Sequence, residues 1–486
     1  MVAPTPVPFF IMVSLYLLIM AAIGIYSAKK TTNLREFFVM NAKAGAILSG
    51  LAYFSTQYSM STFMGVPGTC YKVGYAGLAV SVPGLVFSMI IPALFVGRKL
   101  IALGKKHKFL TMADYLGDRY DSQGIRVLLA LLMLFFLIPL MGAQTIGAGV
   151  IVNVFTGLPY WVGVVAMGVI VIFYCMSGGI RGAILTDAVQ GSLMVGTAIV
   201  TFILSVAMGG GFSAINAKIA AVNPELLTFP GKGNYMPWQN YVSQIVLWSF
   251  FTIGQPQLFT KFFAMKNYRV MFKAVILGTL GMWFAATLIE WSGVNAIAIL
   301  PNIDPKEIDR VVPMILQRGL NPFIASLFIA GIVAAGMSTI DSVLIMTTGA
   351  ISRDIYQKVL NTQATDQQVM GISRFVTAII GIIVIIFGVY RPGTIFTIIL
   401  FAFGGMGLFV VPVLLGMYWK KATLPGAIAS VVAGMILMLL IQFKYKSWAL
   451  GFHPLIVSAL FALIVMVVVS QLTKPPAEAV LARHFD

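Results

Sequence analysis

The chain contains few charged side chains, few histidines and few cysteines. Asp, Glu, Lys and Arg make up only 10% of its 486 residues, whereas a soluble globular domain contains about 25%. This scarcity of charge excludes a soluble domain. No histidine or cysteine joins the acidic residues of the apolar segments, so the side chains that usually carry out catalysis are not grouped together. We therefore expect that the chain is not an enzyme.

Hydrophobic residues are abundant instead, and they form long runs. They make up 59% of the chain, and the mean hydropathy is +0.95. A membrane-spanning helix needs about 20 such residues, and runs of this length occur thirteen times. The sequence therefore predicts an all-α polytopic membrane protein, with spans near 6–27, 46–70, 74–97, 127–153, 159–179, 186–210, 238–260, 274–300, 322–350, 372–390, 393–418, 423–443 and 453–473.

The net charge of +17 follows from the way basic residues are distributed among the loops. If the N-terminus lies outside, every cytoplasmic connection contains Lys or Arg, including Arg35 and Lys43 after the first span. The long outer loop at 212–237 contains only two basic residues, Lys218 and Lys232. The positive-inside rule then predicts a multi-pass protein of the plasma (inner) membrane, with its N-terminus outside and its C-terminus cytoplasmic. Basic loops of this kind face anionic lipid, so the expected partner is the bilayer, with no nucleic acid and no obligate protein partner.

The second apolar run contains a polar island at the depth of the bilayer centre. Residues 55–62 read Ser-Thr-Gln-Tyr-Ser-Met-Ser-Thr, and Gly65-Val-Pro67-Gly68 follows shortly afterwards. A polar group without a partner costs several kcal/mol in lipid. The island must therefore face other protein or a watery cavity, and it indicates a site for something polar or charged.

Span 7 has a second interruption, at Gly254-Gln255-Pro256. If spans 2–6 and 7–11 form two five-helix halves, the interruptions fall in the first helix of each half. An odd number of spans per half inverts one half relative to the other. Broken helices at matching positions of two repeats indicate a transporter binding site. A simple proline kink is the alternative interpretation of span 7.

Three acidic residues lie within the predicted spans, at Asp187, Glu290 and Asp341. An ionisable residue inside the membrane indicates a functional site. Asp341 has no basic residue in its own span, so a cation or a proton must neutralise it. Glu290 lies near the outer end of its span beside Trp291, where a structural, hydrogen-bonding carboxyl is the alternative.

Hydroxyl groups surround Asp341 in the sequence. Helical spacing places Ser338, Thr339 and Ser342 on one face together with Ala335. Hard cations take oxygen ligands, and hydroxyls supply lone pairs without burying another charge. The pattern predicts a sodium site, which carbonyls freed by unwinding of span 2 would complete. Alternatively, these hydroxyls bond back to their own helix or hold helices together.

These segments resemble the sodium:solute symporter family over nearly the whole chain. Tyr174–Ala183 and Thr186–Gly191 resemble the family signature at spans 5 and 6, and Ala335–Thr339 resembles its sodium-site helix. The sequences Gly65–Gly68 in span 2 and Gly254–Pro256 in span 7 are similar to those of the family at the same positions. The stretches 418–420 and 450–454 are most similar to the pantothenate-symporter branch.

The resemblance implies a LeuT-type inverted repeat of five plus five helices, with one extra N-terminal helix and two extra C-terminal helices. The expected divisions are an N-terminal helix and loop (1–45), two repeats (46–210 and 238–418), and C-terminal helices with a short tail (419–486). The implied function is import of a small polar organic solute, pantothenate-like or another carboxylate or amino acid. One or two Na+ ions would drive the import by alternating access.

The resemblance also implies which residues bind sodium. The main site would use the backbone carbonyls of Ser55, Tyr58 and Ala335 and the hydroxyls of Ser338 and Thr339. In some members a second sodium site uses positions that match Asp187, Asp341 and Ser342, although Asp341 replaces a neutral side chain of the family.

The solute is less closely defined than the ion. A basic residue that pantothenate and sialate members carry in span 4 would fall near Val150 and is absent. Proton coupling through Asp187 and Asp341 is the rival mechanism, and a membrane solute sensor is a further alternative. The residues predicted to line the substrate pocket are Gln57, Ser59, Thr62, Gln144, Trp248 and Gln255.

Overall fold

The computed structural model describes residues 4–29, 45–300 and 302–485, apart from the side chains of residues 28, 80–83, 85, 174 and 176–183. Within the described residues all regular structure is helical, which confirms the predicted fold class. The α-helices are α1 (Pro6–Ala28), α2 (Ala46–Gln57), α3 (Val66–Val73), α4 (Leu78–Pro92), α5 (Arg98–His107), α6 (Met112–Arg119), α7 (Gln123–Thr156), α8 (Tyr160–Gly209), α9 (Phe212–Val222), α10 (Trp238–Ser249), α11 (Pro256–Ala264), α12 (Tyr268–Asn295), α13 (Val311–Gly319), α14 (Pro322–Gly349), α15 (Asp366–Tyr390), α16 (Ile395–Gly407), α17 (Val410–Tyr418), α18 (Leu424–Phe443), α19 (Pro454–Leu472) and α20 (Glu478–Phe485).

Short helical segments of other types join several of these helices. Wider π turns occur at Ser61–Gly65 and Ala93–Gly97, and a longer π segment, Ala350–Leu360, extends α14. The 3₁₀ turns are Gly74–Gly77, Pro224–Leu227, Lys232–Asn234, Phe251–Gly254, Ala296–Ala298, Ile308–Arg310 and Lys446–Ala449.

Ten helical segments of the described chain are long and apolar enough to cross a membrane. Two of the other predicted spans, 46–70 and 238–260, are broken into shorter helices. The span predicted at 159–179 forms the first part of α8. The chain is therefore a multi-pass membrane protein, and the count of thirteen spans stays a prediction.

Helix α8 is continuous over two predicted spans, 159–179 and 186–210. Its 50 residues would extend about 75 Å if straight, more than twice the hydrocarbon thickness of a bilayer. At its start, Tyr160 packs against Arg391, which pairs with Asp309. Near its end, Ser205 accepts a hydrogen bond from Asn295. The start of α8 therefore reaches Asp309, just before α13, through Arg391, and its end contacts the last residue of α12. Because these two partners are only a short stretch of chain apart, α8 cannot be straight over its whole length.

Capping residues explain where several helices begin. The side chain of Asn321 accepts the backbone N–H of Ile324, and Pro322 occupies the first turn of α14. The Asn321 side chain thus pairs one of the N–H groups that has no partner within the helix, and proline suits the first turn because it has no N–H to leave unpaired. Thr365 and Gln368 form a reciprocal capping box at the start of α15. The local sequence thus determines where α14, which carries the predicted sodium ligands, and its neighbour α15 begin.

The central helix of the protein is α14. Every residue from 329 to 350 is buried, and α14 packs against α1, α7, α8 and α15. By contrast, only 22% of the most apolar stretch of α1 is buried within the protein, so most of α1 is available to contact lipid. The hydroxyl-rich part of α14 therefore lies deep inside the helix bundle, next to α2.

The C-terminal helix α20 packs against α6, and a basic residue after α14 reaches the same helix. Arg483 pairs with Asp118 of α6, and Arg353 lies 2.9 Å from Asp114 of the same helix. The N-terminal segment instead packs at the ends of α7 and α8, where the N–H of Thr5 donates to the carbonyl of Phe155. Which of these ends faces the cytoplasm stays a prediction, and Arg35 and Lys43 lie outside the described residues.

Candidate sodium and solute sites

The polar island contains the break that the sequence predicts in span 2. Helix α2 ends at Gln57, because Tyr58 takes extended backbone angles of φ −86° and ψ 134°. Helical structure resumes with the π turn at Ser61–Gly65, and Pro67 lies in the first turn of α3. The break thus lies within the island itself, before the Gly-Val-Pro-Gly stretch, which is helical.

Side chains bind the backbone N–H groups that this break exposes. The N–H of Ser59 donates to the Thr62 hydroxyl at 3.4 Å, and the N–H of Met60 donates to the amide oxygen of Gln144 at 2.8 Å. The N–H of Ser61 donates to the hydroxyl of Ser59 at 3.2 Å. In a continuous helix these N–H groups would bond to carbonyls four residues earlier. Their capture by side chains releases the carbonyls at the end of α2 for other partners.

The five oxygen atoms predicted to bind sodium lie together between α2 and α14. The Ser338 hydroxyl is 2.9 Å from the carbonyl oxygen of Ser55, and the Thr339 hydroxyl is 3.0 Å from that of Tyr58. Both hydroxyls are also 3.1 Å from the carbonyl oxygen of Ala335. The hydroxyls therefore do bond to their own helix, but they also reach across to the broken one. A buried set of uncharged oxygen atoms has the chemistry that a hard, monovalent cation requires.

The Tyr58 side chain anchors the break from the other side. Its hydroxyl donates to the carbonyl of Met282 on α12, and its ring packs against Phe54 with centroids 4.7 Å apart. Tyr58 is fully buried. The residue therefore holds its own carbonyl toward α14 while its side chain is fixed to α12.

A second polar cluster lies one helical turn further along α14. The Ser55 hydroxyl donates to one carboxylate oxygen of Asp187 at 3.2 Å, and the hydroxyls of Thr56 and Ser342 are 3.2 Å apart. Asp341 is fully buried beside Ser342 on α14. The structure thus brings Asp187 and Ser342, two of the residues predicted for a second sodium site, to one cluster that also includes α2.

Lys261 is part of this second cluster, whereas the predicted span at 238–260 leaves it at the start of the cytoplasmic loop that follows. That placement is wrong, because α11 continues to Ala264 and buries Lys261 to 3% exposure. Its ammonium lies 3.0 Å from Asp187 and 3.2 Å from the Ser342 hydroxyl. One signal was present in the sequence, since Lys261 follows Pro256 by five residues and a helix that begins at a proline normally runs further than one turn.

Span 7 is interrupted, as one of the two interpretations of its Gly-Gln-Pro sequence predicts. A 3₁₀ turn ends at Gly254, Gln255 has extended backbone angles (φ −85°, ψ 111°), and Pro256 starts α11. A Cβ atom on Gly254 would lie 2.4 Å from the carbonyl oxygen of Met406. Only glycine allows the interrupted helix to come this close to the end of α16. A simple proline kink does not require such a close contact, so the structure favours a true interruption.

Most of the predicted solute-binding side chains are engaged within the protein. Ser59, Thr62 and Gln144 hold the break in span 2, and the amide nitrogen of Gln144 also donates to the carbonyl of Leu140. The indole N–H of Trp248 donates to Gln244 at 3.1 Å. Gln255 accepts from Gln257 at 3.2 Å. Their assignment to the solute pocket stays a prediction.

Three buried polar atoms near the two breaks have no hydrogen-bond partner within the described residues. They are the amide nitrogen of Gln57, the hydroxyl of Ser61 and the amide oxygen of Gln257. All three residues are at most 5% exposed. A buried polar atom without a partner is costly, so a polar ligand at the breaks would satisfy these groups. The sequence prediction missed Ser61 and Gln257, because nothing local distinguishes them from their hydrogen-bonded neighbours.

The sequence model of the sodium:solute symporter family matches residues 37–434. The chain belongs to this family. The symporter is a transporter rather than an enzyme, and Na+ is its coupling ion, as the sequence analysis predicts.

Curated relatives match the symporter over nearly its whole length. The sodium/pantothenate symporters of Escherichia coli strain K12 and Haemophilus influenzae are 28% and 30% identical to it. These alignments cover 96% and 94% of this chain and 97% and 95% of the relatives. A sodium/proline symporter of Staphylococcus aureus is 26% identical over 96% of this chain and 93% of its own.

The structure of the symporter resembles solved transporters of the LeuT type. A Na+-coupled sialic acid symporter in a substrate-bound, outward-open state superposes with a TM-score of 0.81 and 19% identity, covering 97% of this chain and 99% of the other. Mhp1, a nucleobase-cation-symport-1 family transporter, gives a TM-score of 0.55 at 13% identity, covering 92% and 97%. The symporter therefore has the LeuT-type fold that its sequence predicts.

Proposed function

We propose that this symporter imports a small polar organic solute by alternating access, driven by Na+ bound between α2 and α14. The ligands of this ion are the carbonyl oxygens of Ser55, Tyr58 and Ala335 and the hydroxyls of Ser338 and Thr339. One observation carries the proposal: each of the two hydroxyls lies within 3.1 Å of a carbonyl on its own helix and of another on the broken helix.

In this mechanism Na+ joins the broken helix to the central one. The ion orders the island, so the polar groups of Gln57, Ser61 and Gln257 become fixed around the solute. Coupling of this kind is reciprocal, and the solute strengthens Na+ binding by the same factor. With the N-terminus outside, the membrane potential adds about 2.3 kcal/mol per charge per 100 mV to inward movement. The repeats at 46–210 and 238–418 would move relative to each other around this site.

The proposed solutes are a pantothenate-like carboxylate or an amino acid such as proline. The relatives described above are named for pantothenate and for proline, so both belong in the first panel. The groups without partners at the two breaks are amide and hydroxyl groups, which recognise polar atoms of a solute by hydrogen bonding. These neutral groups favour a small solute with several polar atoms over an apolar one.

Uptake by the full chain in proteoliposomes tests the proposed function. An inward Na+ gradient should drive uptake of at least one labelled solute from a panel of pantothenate, proline, a monocarboxylate and a sugar. The double variant Ser338→Ala, Thr339→Ala should abolish this uptake. Ser326→Ala is the matched control, because that hydroxyl also lies on α14 but bonds only within its own turn, to Pro322. Unchanged Na+-driven uptake in the double variant would refute the assigned site.

Replacement of Na+ by choline at fixed pH separates sodium coupling from proton coupling. Sodium coupling predicts that uptake stops in choline, with or without a pH gradient. Continued uptake that follows an imposed pH gradient would instead support the rival mechanism through Asp187 and Asp341. Solute binding without any transport in either salt would indicate a sensor.

A further inference from the structure

Lys261 is a basic residue buried where the family resemblance implies a second sodium site in some members. It lies on α11, directly after the interruption of span 7, and its side chain is 3% exposed. Lysine is almost never fully buried unless it is paired. The partners of Lys261 therefore indicate what the buried ammonium does.

The ammonium of Lys261 contacts two side chains of the second polar cluster. Its nitrogen is 3.0 Å from Asp187 and 3.2 Å from the Ser342 hydroxyl. These acceptors come from α8 and α14, while α2 adds the hydroxyls of Ser55 and Thr56 to the same cluster. Two helices thus supply oxygen atoms directly to the ammonium, and a third, α2, supplies hydroxyls that bond to those same two acceptors.

A lysine ammonium and a sodium ion meet the same chemical demands at such a place. Both are compact monovalent cations, and an ammonium can donate up to three hydrogen bonds to surrounding oxygen atoms. The Asp187 carboxylate already has one positive partner in Lys261. A sodium ion bound at the same oxygens would bring a second positive charge next to the ammonium, and like charges at close range repel strongly inside a protein.

We propose that the Lys261 ammonium is the permanent, tethered occupant of the second cation site, so that this symporter binds and couples one Na+ per cycle. Lysine cannot leave the site, so this positive charge remains with the protein throughout transport. The inference rests on the proposed function, because the single coupled Na+ is the ion held by Ser338 and Thr339. Ser55 connects the two places, since its carbonyl faces Ser338 and its hydroxyl faces Asp187.

Equilibrium binding of radioactive Na+ to the purified full chain in lipid nanodiscs tests the proposal. The wild type should bind one Na+ per chain. Lys261→Ala leaves the Asp187 carboxylate without its cation and should bind two. The double variant Lys261→Ala, Asp187→Asn removes both charges and should bind one again. A lysine with a purely structural role would change stability in these variants without changing the number of bound ions.

Two results would overturn the proposal. One is a wild type that binds two Na+ ions per chain, and this count decides the matter even if Lys261→Ala does not fold. The other is a folded Lys261→Ala variant, monodisperse in nanodiscs, that still binds one ion. The proposed function is judged separately by Ser338→Ala, Thr339→Ala in the wild-type background. That variant should bind no Na+, and retained Na+ binding would refute the main sodium site. The comparison of the wild type with Lys261→Ala would still test the second cation site.

Discussion

The hydroxyl of Ser338 on the central helix lies 2.9 Å from the backbone carbonyl of Ser55, at the end of the broken helix. The two residues are far apart in the sequence, and their contact joins the helices that carry the proposed sodium ligands. The hydroxyl of Ser55 also bonds to Asp187. One residue of α2 therefore contributes its backbone to one polar cluster and its side chain to the other.

The Thr339 hydroxyl should contribute directly to sodium affinity. Thr339→Val keeps the shape of the side chain but removes the oxygen that lies 3.0 Å from the Tyr58 carbonyl. We expect the Na+ concentration for half-maximal uptake to rise at least about tenfold, equivalent to roughly 1.4 kcal/mol. Thr339→Ser keeps the oxygen and should stay close to the wild type. A Na+ titration of uptake checks both, and equal Na+ dependence of the two variants would contradict the assigned ligand.

Gln144 should act on sodium binding without contacting the ion. Gln144→Leu removes the acceptor of the Met60 N–H, which is 2.8 Å away, and an unpaired buried N–H costs about 1–3 kcal/mol. The break in span 2 should become less well defined, so binding of radioactive Na+ should weaken severalfold.

The matched control is Gln317→Leu, because the Gln317 amide also donates to a backbone carbonyl, at Val154, but lies between α13 and the end of α7. This variant should leave Na+ affinity unchanged. If both variants weakened Na+ binding equally, the effect would come from general loss of stability and not from the break.

Gly254 should tolerate no side chain. In Gly254→Ala the new Cβ would lie 2.4 Å from the Met406 carbonyl oxygen, so backbone must move at a cost of about 1–3 kcal/mol. We expect a lower midpoint of thermal unfolding and reduced uptake. Gly371→Ala on α15 is the control, since nothing lies within 4 Å of its added Cβ, and alanine favours a helix by up to about 1 kcal/mol. A Gly254→Ala protein as stable as the control would contradict this close approach.

Asp114 should stabilise the end of the molecule that carries the C-terminal helix. Its carboxylate lies 2.7 Å from Arg126 and 2.9 Å from Arg353, so it links α6 to α7 and to the π segment that extends α14. Loss of one partner from a buried ion pair costs about 3 kcal/mol. Asp114→Asn should therefore lower the midpoint of thermal unfolding by several degrees.

The pH dependence of this cluster follows from the pKa of Asp114. Burial raises this pKa, but the positive charges of Arg353, Arg126 and Lys358, together with the hydrogen bond from the Leu110 N–H, hold the pKa below its ordinary value. A carboxyl with a lowered pKa stabilises the fold above its unfolded pKa of about 3.9 and loses this contribution as the pH falls through the folded pKa. The stability difference between the wild type and Asp114→Asn should thus persist from pH 7 to pH 5. A difference that vanished by pH 6 would contradict the lowered pKa.

The sequence predicts a large part of the fold and the main site. Hydrophobic runs of spanning length appear as helices because a bilayer requires every backbone group to bond within its own segment. The spacing of Ala335, Ser338 and Thr339 places their oxygen atoms on one face of a helix, and the structure has them there. These features depend on local periodicity, which a single sequence contains.

Other features depend on contacts between distant residues, which local patterns do not specify. The break in span 2 lies at Tyr58–Met60 and not at Pro67, because Gln144 from another helix captures the Met60 N–H. Lys261 follows an apolar run and therefore resembles the first residue of a loop. Only its pairing with Asp187 of α8 makes its burial favourable.

The way the break in span 2 is satisfied affects how the protein can move. Three consecutive N–H groups, from Ser59 to Ser61, are held by side chains and not by rungs of the helix. A change of angle between the two halves of the span would therefore break these side-chain hydrogen bonds and leave the helical turns on either side intact. In the proposed alternating-access mechanism, a few side-chain hydrogen bonds would resist this change of angle, so substitution of Thr62 or Gln144 would alter the transport rate.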